Sequence, residues 1–331
     1  MKPRVAFVST GGTIAAKGAD SLDLIDYGAT GEVLGTAEIL ARYPEVSRDF
    51  DVVPFEFRRI ASNDIGFADW KELAQLLEGL SRADAHLAGI VVGHGTASLE
   101  ETAYFLHLTL RISIAVVLVG SQRPPTALSS DAGLNLLNAV RAAAEPGLRE
   151  MGVLVVMNDE IHAAREVTKT STLRLQTFAS PDFGMLGQVD SDRVVVRRRP
   201  VASFPLAAPF DLDAVVALPR VDIVYAHAGC DGVAVRAFAA AGARGIVSAG
   251  FAPGVTSKAE TQALCDAVAA GVVVVQGTRV LSGRVPRTRR NVERGFIAAG
   301  NLNAQKARIL LALALTQTSD RSEIQDWFDR Y

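Results

Sequence analysis

A chain of 331 residues that is 49% hydrophobic and 21% charged has apolar mass for one large or two ordinary domains. Its formal net charge of −2 offers no basic excess for nucleic acid or an acidic membrane surface, and no run reaches the ~20 apolar residues of a membrane span. Cys230 and Cys265 stand at no metal-ligand spacing, which argues against a disulfide scaffold and for two buried free thiols.

The first strand is expected at residues 5–9, in a short β-branched start that does not read as a signal region, so a cytoplasmic protein is expected. Further strands are expected at 52–57, 90–92, 114–119 and 153–157. Helical patterns fall at 36–43, 68–80, 99–110, 130–144 and 302–316. Continuous apolar strands alternating with helices predict an α/β fold with a parallel sheet covered on both faces. The rhythm stops near Val196, where Arg197-Arg198-Arg199-Pro200 leads into an Ala/Pro/Phe-rich stretch ending at Pro209. A second, smaller rhythm follows at 221–226, 233–241, 245–249, 257–270 and 272–276. The expected organisation is a larger domain at 1–195, a linker at 196–211 and a smaller domain at 212–331.

Two strand ends carry hydroxyls. After 5–9 comes Thr10-Gly11-Gly12-Thr13-Ile14, and after 88–92 comes His94-Gly95-Thr96-Ala97-Ser98. In an open α/β sheet, ligands bind outside the carboxyl ends of the strands. Glycines let the backbone turn sharply and approach a ligand. A threonine hydroxyl is a weak nucleophile and needs a neighbour to take its proton. Tyr27, in a Gly/Asp-rich segment, is one such neighbour, and Lys169 becomes a base if burial lowers its pKa. Each feature also has a plain structural reading: a strand-to-helix turn, a surface lysine, and for His94 a turn or core position. The five histidines show no metal spacing.

The ordered set of segments resembles the bacterial asparaginase/glutaminase amidohydrolase family. It comprises Thr10-Gly11-Gly12-Thr13-Ile14-Ala15, His94-Gly95-Thr96 with Leu99-Glu100-Glu101-Thr102-Ala103, and Gly120-Ser121-Gln122-Arg123-Pro124. Residues 131–138, Val155-Val156-Met157-Asn158-Asp159, Thr168-Lys169-Thr170, residues 246–250 and Gly300-Asn301-Leu302-Asn303-Ala304-Gln305-Lys306-Ala307-Arg308 extend it over nearly the whole chain. The resemblance implies a larger flavodoxin-like domain and a smaller α/β domain. It implies catalysis by Thr13, Tyr27, Thr96 and Lys169, and substrate binding by Ser62, Asn63, Gly95, the position of Ala97, and Ser121. It implies a homodimer or homotetramer with sites at subunit interfaces, a small amide as substrate, and neither cofactor nor metal.

The chain departs from that pattern where the family holds an α-ammonium group. The residue after the second threonine is Ala97 rather than aspartate, and a second acidic position falls near Thr288 in Arg287-Thr288-Arg289-Arg290. A loop that carries asparagines in the family reads Phe251-Ala252-Pro253-Gly254-Val255. The three changes predict a small amide lacking a free α-amino group: a linear monoamide, an N-acylated amide, a lactam or an imide. Glu293 is an alternative source of the missing acid. The arginines near Thr288 read either as a positive rim or as a solvated face. Rival readings are an ordinary L-asparaginase or glutaminase, a non-catalytic binder of amides or amino acids, and a lactone or ester hydrolase. Loss of the anion next to Lys169 also predicts a lowered lysine pKa and an alkaline optimum.

Overall fold

A computed structural model describes residues 1–200 and 209–331. The chain divides into two compact units, Met1–Pro209 and Phe210–Tyr331. In the first unit the elements run β1 (Arg4–Ser9), α1 (Thr36–Arg42), β2 (Asp51–Glu56), α2 (Phe67–Ala83), β3 (Leu87–Gly93), α3 (Leu99–Thr109), β4 (Ala115–Val119), α4 (Ala132–Ala144) and β5 (Val153–Met157). Short strands follow: β6 (Glu160–Ala163), β7 (Thr168–Lys169), β8 (Phe178–Ala179), β9 (Gly187–Val189) and β10 (Val194–Val196).

Eight strands form one sheet in the order β10-β9-β6-β5-β4-β3-β1-β2. The run β2-β1-β3-β4-β5 is parallel, the strand order of a flavodoxin-like sheet. β6, β9 and β10 add to it antiparallel. Burial explains the parallel part. Val5, Ala6, Phe7, Val8, Ile90, Val91 and Val92 are fully enclosed, as expected of strands covered on both faces. α4 lies close on β3 because Gly89 has no side chain; a Cβ there would stand 2.1 Å from the Ala143 carbonyl oxygen. Ala139, Ala142 and Ala143 give α4 a flat, fully buried face.

The second unit holds β11 (Val221–Tyr225), α5 (Val233–Ala240), β12 (Gly245–Gly250), α6 (Lys258–Ala269), β13 (Val273–Thr278), α7 (Arg289–Glu293), β14 (Ile297–Ala298), α8 (Ala304–Ala314) and α9 (Arg321–Arg330). Its four-stranded sheet is parallel throughout, in the order β11-β12-β13-β14. Val235, Ile246, Leu264 and Val274 centre its core.

Several expectations shift. The antiparallel strands β6, β9 and β10 and the helices α7 and α9 lie outside the expected elements. Part of the expected linker belongs to the first unit. Val196 closes β10, the amides of Arg197 and Arg198 both donate to the Leu186 carbonyl, and the Arg198 guanidinium pairs with Glu166 at 2.5 Å. The Ala/Pro/Phe-rich remainder, 201–208, lies outside the described residues. Both cysteines are free, but only Cys230 is buried, and Cys265 is partly open. Among the described residues no helix is long and apolar enough to cross a membrane.

Candidate active site

The site lies at the carboxyl ends of β1, β3 and β4, where three glycine-bearing turns meet. β1 ends in Thr10-Gly11-Gly12-Thr13, with Gly11 at φ 98° and Gly12 at φ 82°, a region that favours glycine. β3 ends in His94-Gly95-Thr96. The two turns touch: a Cβ on Gly12 would stand 2.1 Å from Gly95 Cα, and one on Gly95 would stand 2.5 Å from Ser62 Oγ. The third turn, Gly120-Ser121-Gln122 after β4, presses on the second, since a Cβ on Gly120 would meet Thr96 Cγ2 at 2.9 Å. The glycines are therefore what allows the three strand ends to converge.

Each threonine finds a different partner. Thr13 Oγ1 and the Tyr27 hydroxyl share a 2.9 Å hydrogen bond, and both residues are half-buried. Lys169 Nζ donates to Thr96 Oγ1 at 2.8 Å. The Thr96 hydroxyl donates in turn to Gln122 Oε1 at 3.2 Å, and Lys169 Nζ reaches the same oxygen at 3.4 Å. Gln122 is held from both ends: its amide nitrogen donates to Asp131 Oδ2 at 2.9 Å and its Nε2 to the Arg174 carbonyl at 3.2 Å. Burial lowers the Lys169 pKa from its ordinary value, and the Glu100 carboxylate, in the first turn of α3, pulls the other way.

The backbone contributes donors. The N–H groups of Gly12, Thr13, Gly95 and Thr96 make no hydrogen bond among the described residues. Gly95 and Thr96 are buried, and buried amides are almost always paired. Unpaired amides at a strand-end turn suit an anionic oxygen of a ligand.

Behind the second turn sits a buried polar relay. The Trp70 indole N–H donates to Thr102 Oγ1 at 2.8 Å, the Thr102 hydroxyl meets His94 Nε2 at 2.9 Å, and His94 Nδ1 meets the Gly95 carbonyl at 2.8 Å. A carbonyl only accepts and an indole only donates, so every proton is assigned: His94 is neutral with its hydrogen on Nδ1. Complete burial pushes its pKa down to about 4, in keeping with that state. His94 is thus a positioning residue for the Gly95 carbonyl.

The remaining expected residues fall as follows. Ser62 is half-buried beside Gly95, its carbonyl taken by the Ser98 hydroxyl. Asn63 is exposed and donates to Asp64 at 3.0 Å. Ser121 is fully buried, and its hydroxyl donates to the Arg123 carbonyl at 2.8 Å. Ala97 is exposed and presents only a methyl group. Glu293, exposed in α7 of the second unit, is engaged by Arg289 at 2.7 Å. Sequence reasoning missed Gln122, Glu100, Thr102 and Trp70. Gln122 stood inside a quoted motif, but nothing in its spacing announced that its side chain joins Lys169.

Residues 4–202 match the family described as "Asparaginase, N-terminal", and residues 220–328 the "Glutaminase/Asparaginase C-terminal domain". The chain is 38% identical to the "L-asparaginase 2" of Escherichia coli over 99% of its own length and 93% of that protein's. It is 38% identical to the "Probable L-asparaginase periplasmic" of Haemophilus influenzae over the same shares, 99% and 93%. It is 37% identical to the "Glutaminase-asparaginase" of Pseudomonas fluorescens over 99% of this chain and 90% of that one. Among solved structures, that titled "Probable Cytoplasmic L-asparaginase from Campylobacter jejuni" superposes with a TM-score of 0.94 at 37% identity, covering 100% of both chains.

Proposed function

Since the chain belongs to the asparaginase family and is a hydrolase of amide carbon–nitrogen bonds, we propose that it uses Thr13 as nucleophile on a small amide without a free α-amino group. Ala97 carries this reading: an exposed methyl adjoins Thr96, and the oxygen acceptor on Lys169 and Thr96 is the neutral Gln122 amide. An α-ammonium placed there would lack a charge-assisted pair, worth about 1.5–3 kcal/mol or roughly one to two decades of binding. A linear monoamide of a dicarboxylic acid, an N-acylated amide, a lactam or an imide avoids that loss.

The arrangement supports two half-reactions. Thr13 Oγ1 attacks the amide carbon as its proton passes to the Tyr27 oxygen and the Tyr27 hydroxyl gives its own proton to the amide nitrogen, forming a C–O bond and a tetrahedral oxyanion. The unpaired N–H groups of Gly95 and Thr96 face that charge. Collapse breaks the C–N bond, and the nitrogen departs as the neutral amine with the proton it received through Tyr27. Water then attacks the acyl-threonine, with neutral Lys169 removing its proton through Thr96. A carboxylate leaves and Thr13 regains its hydroxyl hydrogen. Lys169 is the suited base because burial holds its pKa below the ordinary lysine value.

A second reading is an L-asparaginase or glutaminase in the ordinary sense. The names of the relatives favour it, at 37–38% identity. Steady-state assays on asparagine and glutamine, set against succinamate and a cyclic imide, separate the two. Our reading expects kcat/KM for a des-amino amide at least about tenfold above that for asparagine, and a reversal of the preference in Ala97→Asp. A wild-type enzyme that favours asparagine by that margin overturns it.

A further inference from the structure

Three polar atoms close a triangle beyond the end of β3. Lys169 Nζ stands 2.8 Å from Thr96 Oγ1 and 3.4 Å from Gln122 Oε1, and Thr96 Oγ1 stands 3.2 Å from that same amide oxygen. The far end of the Gln122 amide fixes which way it faces. Nε2 donates to the Arg174 carbonyl at 3.2 Å, and a carbonyl only accepts, so Oε1 is the atom turned to Thr96 and Lys169. Both supports of Gln122 are themselves tied down. The Asp131 carboxylate takes the backbone N–H groups of Gln122 and Arg123 at 2.9 and 3.0 Å and the Asn135 side-chain amide at 3.0 Å. Arg174 lies in the loop between β7 and β8, the hairpin that carries Lys169, and the buried Thr177 pins that loop. The Thr177 carbonyl accepts the Thr170 N–H at 2.7 Å, and its hydroxyl donates to the Ser171 carbonyl.

We propose that Gln122 is a positioning residue for proton transfer between Thr96 and Lys169, its amide oxygen serving as a neutral acceptor in both protonation states of the lysine. This rests on the reading of Lys169 as base of the second half-reaction. With Lys169 as ammonium, Nζ donates to Thr96 Oγ1 and the Thr96 hydrogen rests on Gln122 Oε1. With Lys169 neutral, Nζ offers its lone pair to the Thr96 hydroxyl and keeps an N–H for the amide oxygen. When water attacks the acyl-threonine, Thr96 takes the water's proton and gives its own to Nζ, which becomes the ammonium. Oε1 holds a donor before and after, so Thr96 and Lys169 stay within reach of each other. An amide adds no charge and does not take the proton itself. A carboxylate in its place would hold both partners but favour the ammonium. Of the acids near by, Glu100 in the first turn of α3 is the one whose charge reaches Lys169, while Asp131 is engaged by backbone N–H groups and Asn135.

Rapid-quench measurement of the two half-reactions tests it, on whichever of asparagine, glutamine, succinamate and a cyclic imide the wild-type enzyme turns over fastest. Gln122→Met keeps the reach of the side chain and removes both amide functions. It should slow release of the acid product about ten- to a hundredfold at every pH and keep the first release of amine at the wild-type rate. Should Gln122→Met fold poorly, Gln122→Asn, which keeps the amide but stops a methylene group short of Thr96, carries the same expectation. Gln122→Glu restores an acceptor. Above its alkaline limb, raised by the added charge, it should release acid about tenfold faster than Gln122→Met, a recovery that packing alone does not give. Acid release at the wild-type rate in Gln122→Met, while Lys169→Met slows it, overturns the role of Gln122 and leaves the base in place. Acid release that Lys169→Met also leaves unchanged overturns the base and the proposal with it. A Gln122→Glu enzyme no faster than Gln122→Met at any pH reduces the residue to packing and overturns the proposal as well.

Discussion

The turn after β1 presents Thr13 to a single partner, the hydroxyl of Tyr27, which stands in a segment exposed on either side of it. The turn after β3 holds Thr96 between Lys169 and Gln122 and is tied through His94 and Thr102 to the buried indole of Trp70. Both are glycine-threonine turns at the ends of neighbouring strands, and they press against each other through Gly12 and Gly95. The difference teaches a division of labour. In the proposed mechanism Thr13 has to approach a substrate carbon and become acylated, and its proton partner stands on a segment near solvent. Lys169, the proposed base, has to keep one protonation equilibrium through the cycle, and its partners are fixed from behind.

The sharpest break in that comparison comes from removing the Thr13 hydroxyl from one turn and the Lys169 amine from the other. Thr13→Ala should reduce kcat about 10⁴-fold or more, because the other hydroxyl of the first turn, that of Thr10, is buried and donates to the Gly93 carbonyl. Lys169→Met should cost about 10²–10⁴-fold, the usual share of a general base. Product release under single-turnover and steady-state conditions checks both. Lys169→Met should still give a burst of released amine from the first half-reaction, and Thr13→Ala should give none. A burst in Thr13→Ala would assign the nucleophile to the other turn.

These two turns were legible in the sequence for a physical reason. A glycine pair or a Gly-Thr step directly after an apolar strand marks a sharp turn at the strand end, and the strand run itself reports burial. Tyr27 was legible as a loop tyrosine, and the structure brings its hydroxyl to Thr13. The parallel core was readable from continuous apolar runs. β6, β9 and β10, at three or four residues each, are too short to show a period. Gln122 and the His94–Thr102–Trp70 relay depend on side-chain directions set by tertiary packing, which spacing does not encode. The place of Ser121 in its motif pointed to the substrate, and its hydroxyl donates to the Arg123 carbonyl.

The second turn can be altered without removing it. In the proposed mechanism Lys169 acts as base when neutral, so activity is expected to rise with pH through its pKa, and burial sets that rise below the position of an ordinary lysine. An added anion favours the ammonium form and moves the rise to higher pH. Gln122→Glu and Ala97→Asp should both shift the alkaline limb of kcat upward, and Gln122→Met, which adds no charge, should not. A pH–rate profile indifferent to both acids would separate the limb from Lys169. The first turn offers the contrast: Tyr27→Phe should lower kcat at every pH and leave the limb where it is.

The smallest effects lie in the relay behind the second turn, and they distinguish wiring from packing. His94 has a pKa of about 4 when folded, against an ordinary histidine value near 6.5. The unfolded chain therefore binds the proton first as pH falls. Stability should be unaffected above about pH 6.5 and decline from there toward pH 4, by an order-of-magnitude total of about 3 kcal/mol. Chemical denaturation across that window checks it, and His94→Gln should flatten the decline. Trp70→Phe keeps an aromatic ring on Phe105, stacked at 5.0 Å, and removes only the indole donor to Thr102. Its cost should be about 1 kcal/mol at neutral pH, the net worth of one hydrogen bond. If the relay positions Gly95, the same change should also raise KM or lower kcat; a stability loss with unchanged kinetics would reduce the relay to packing.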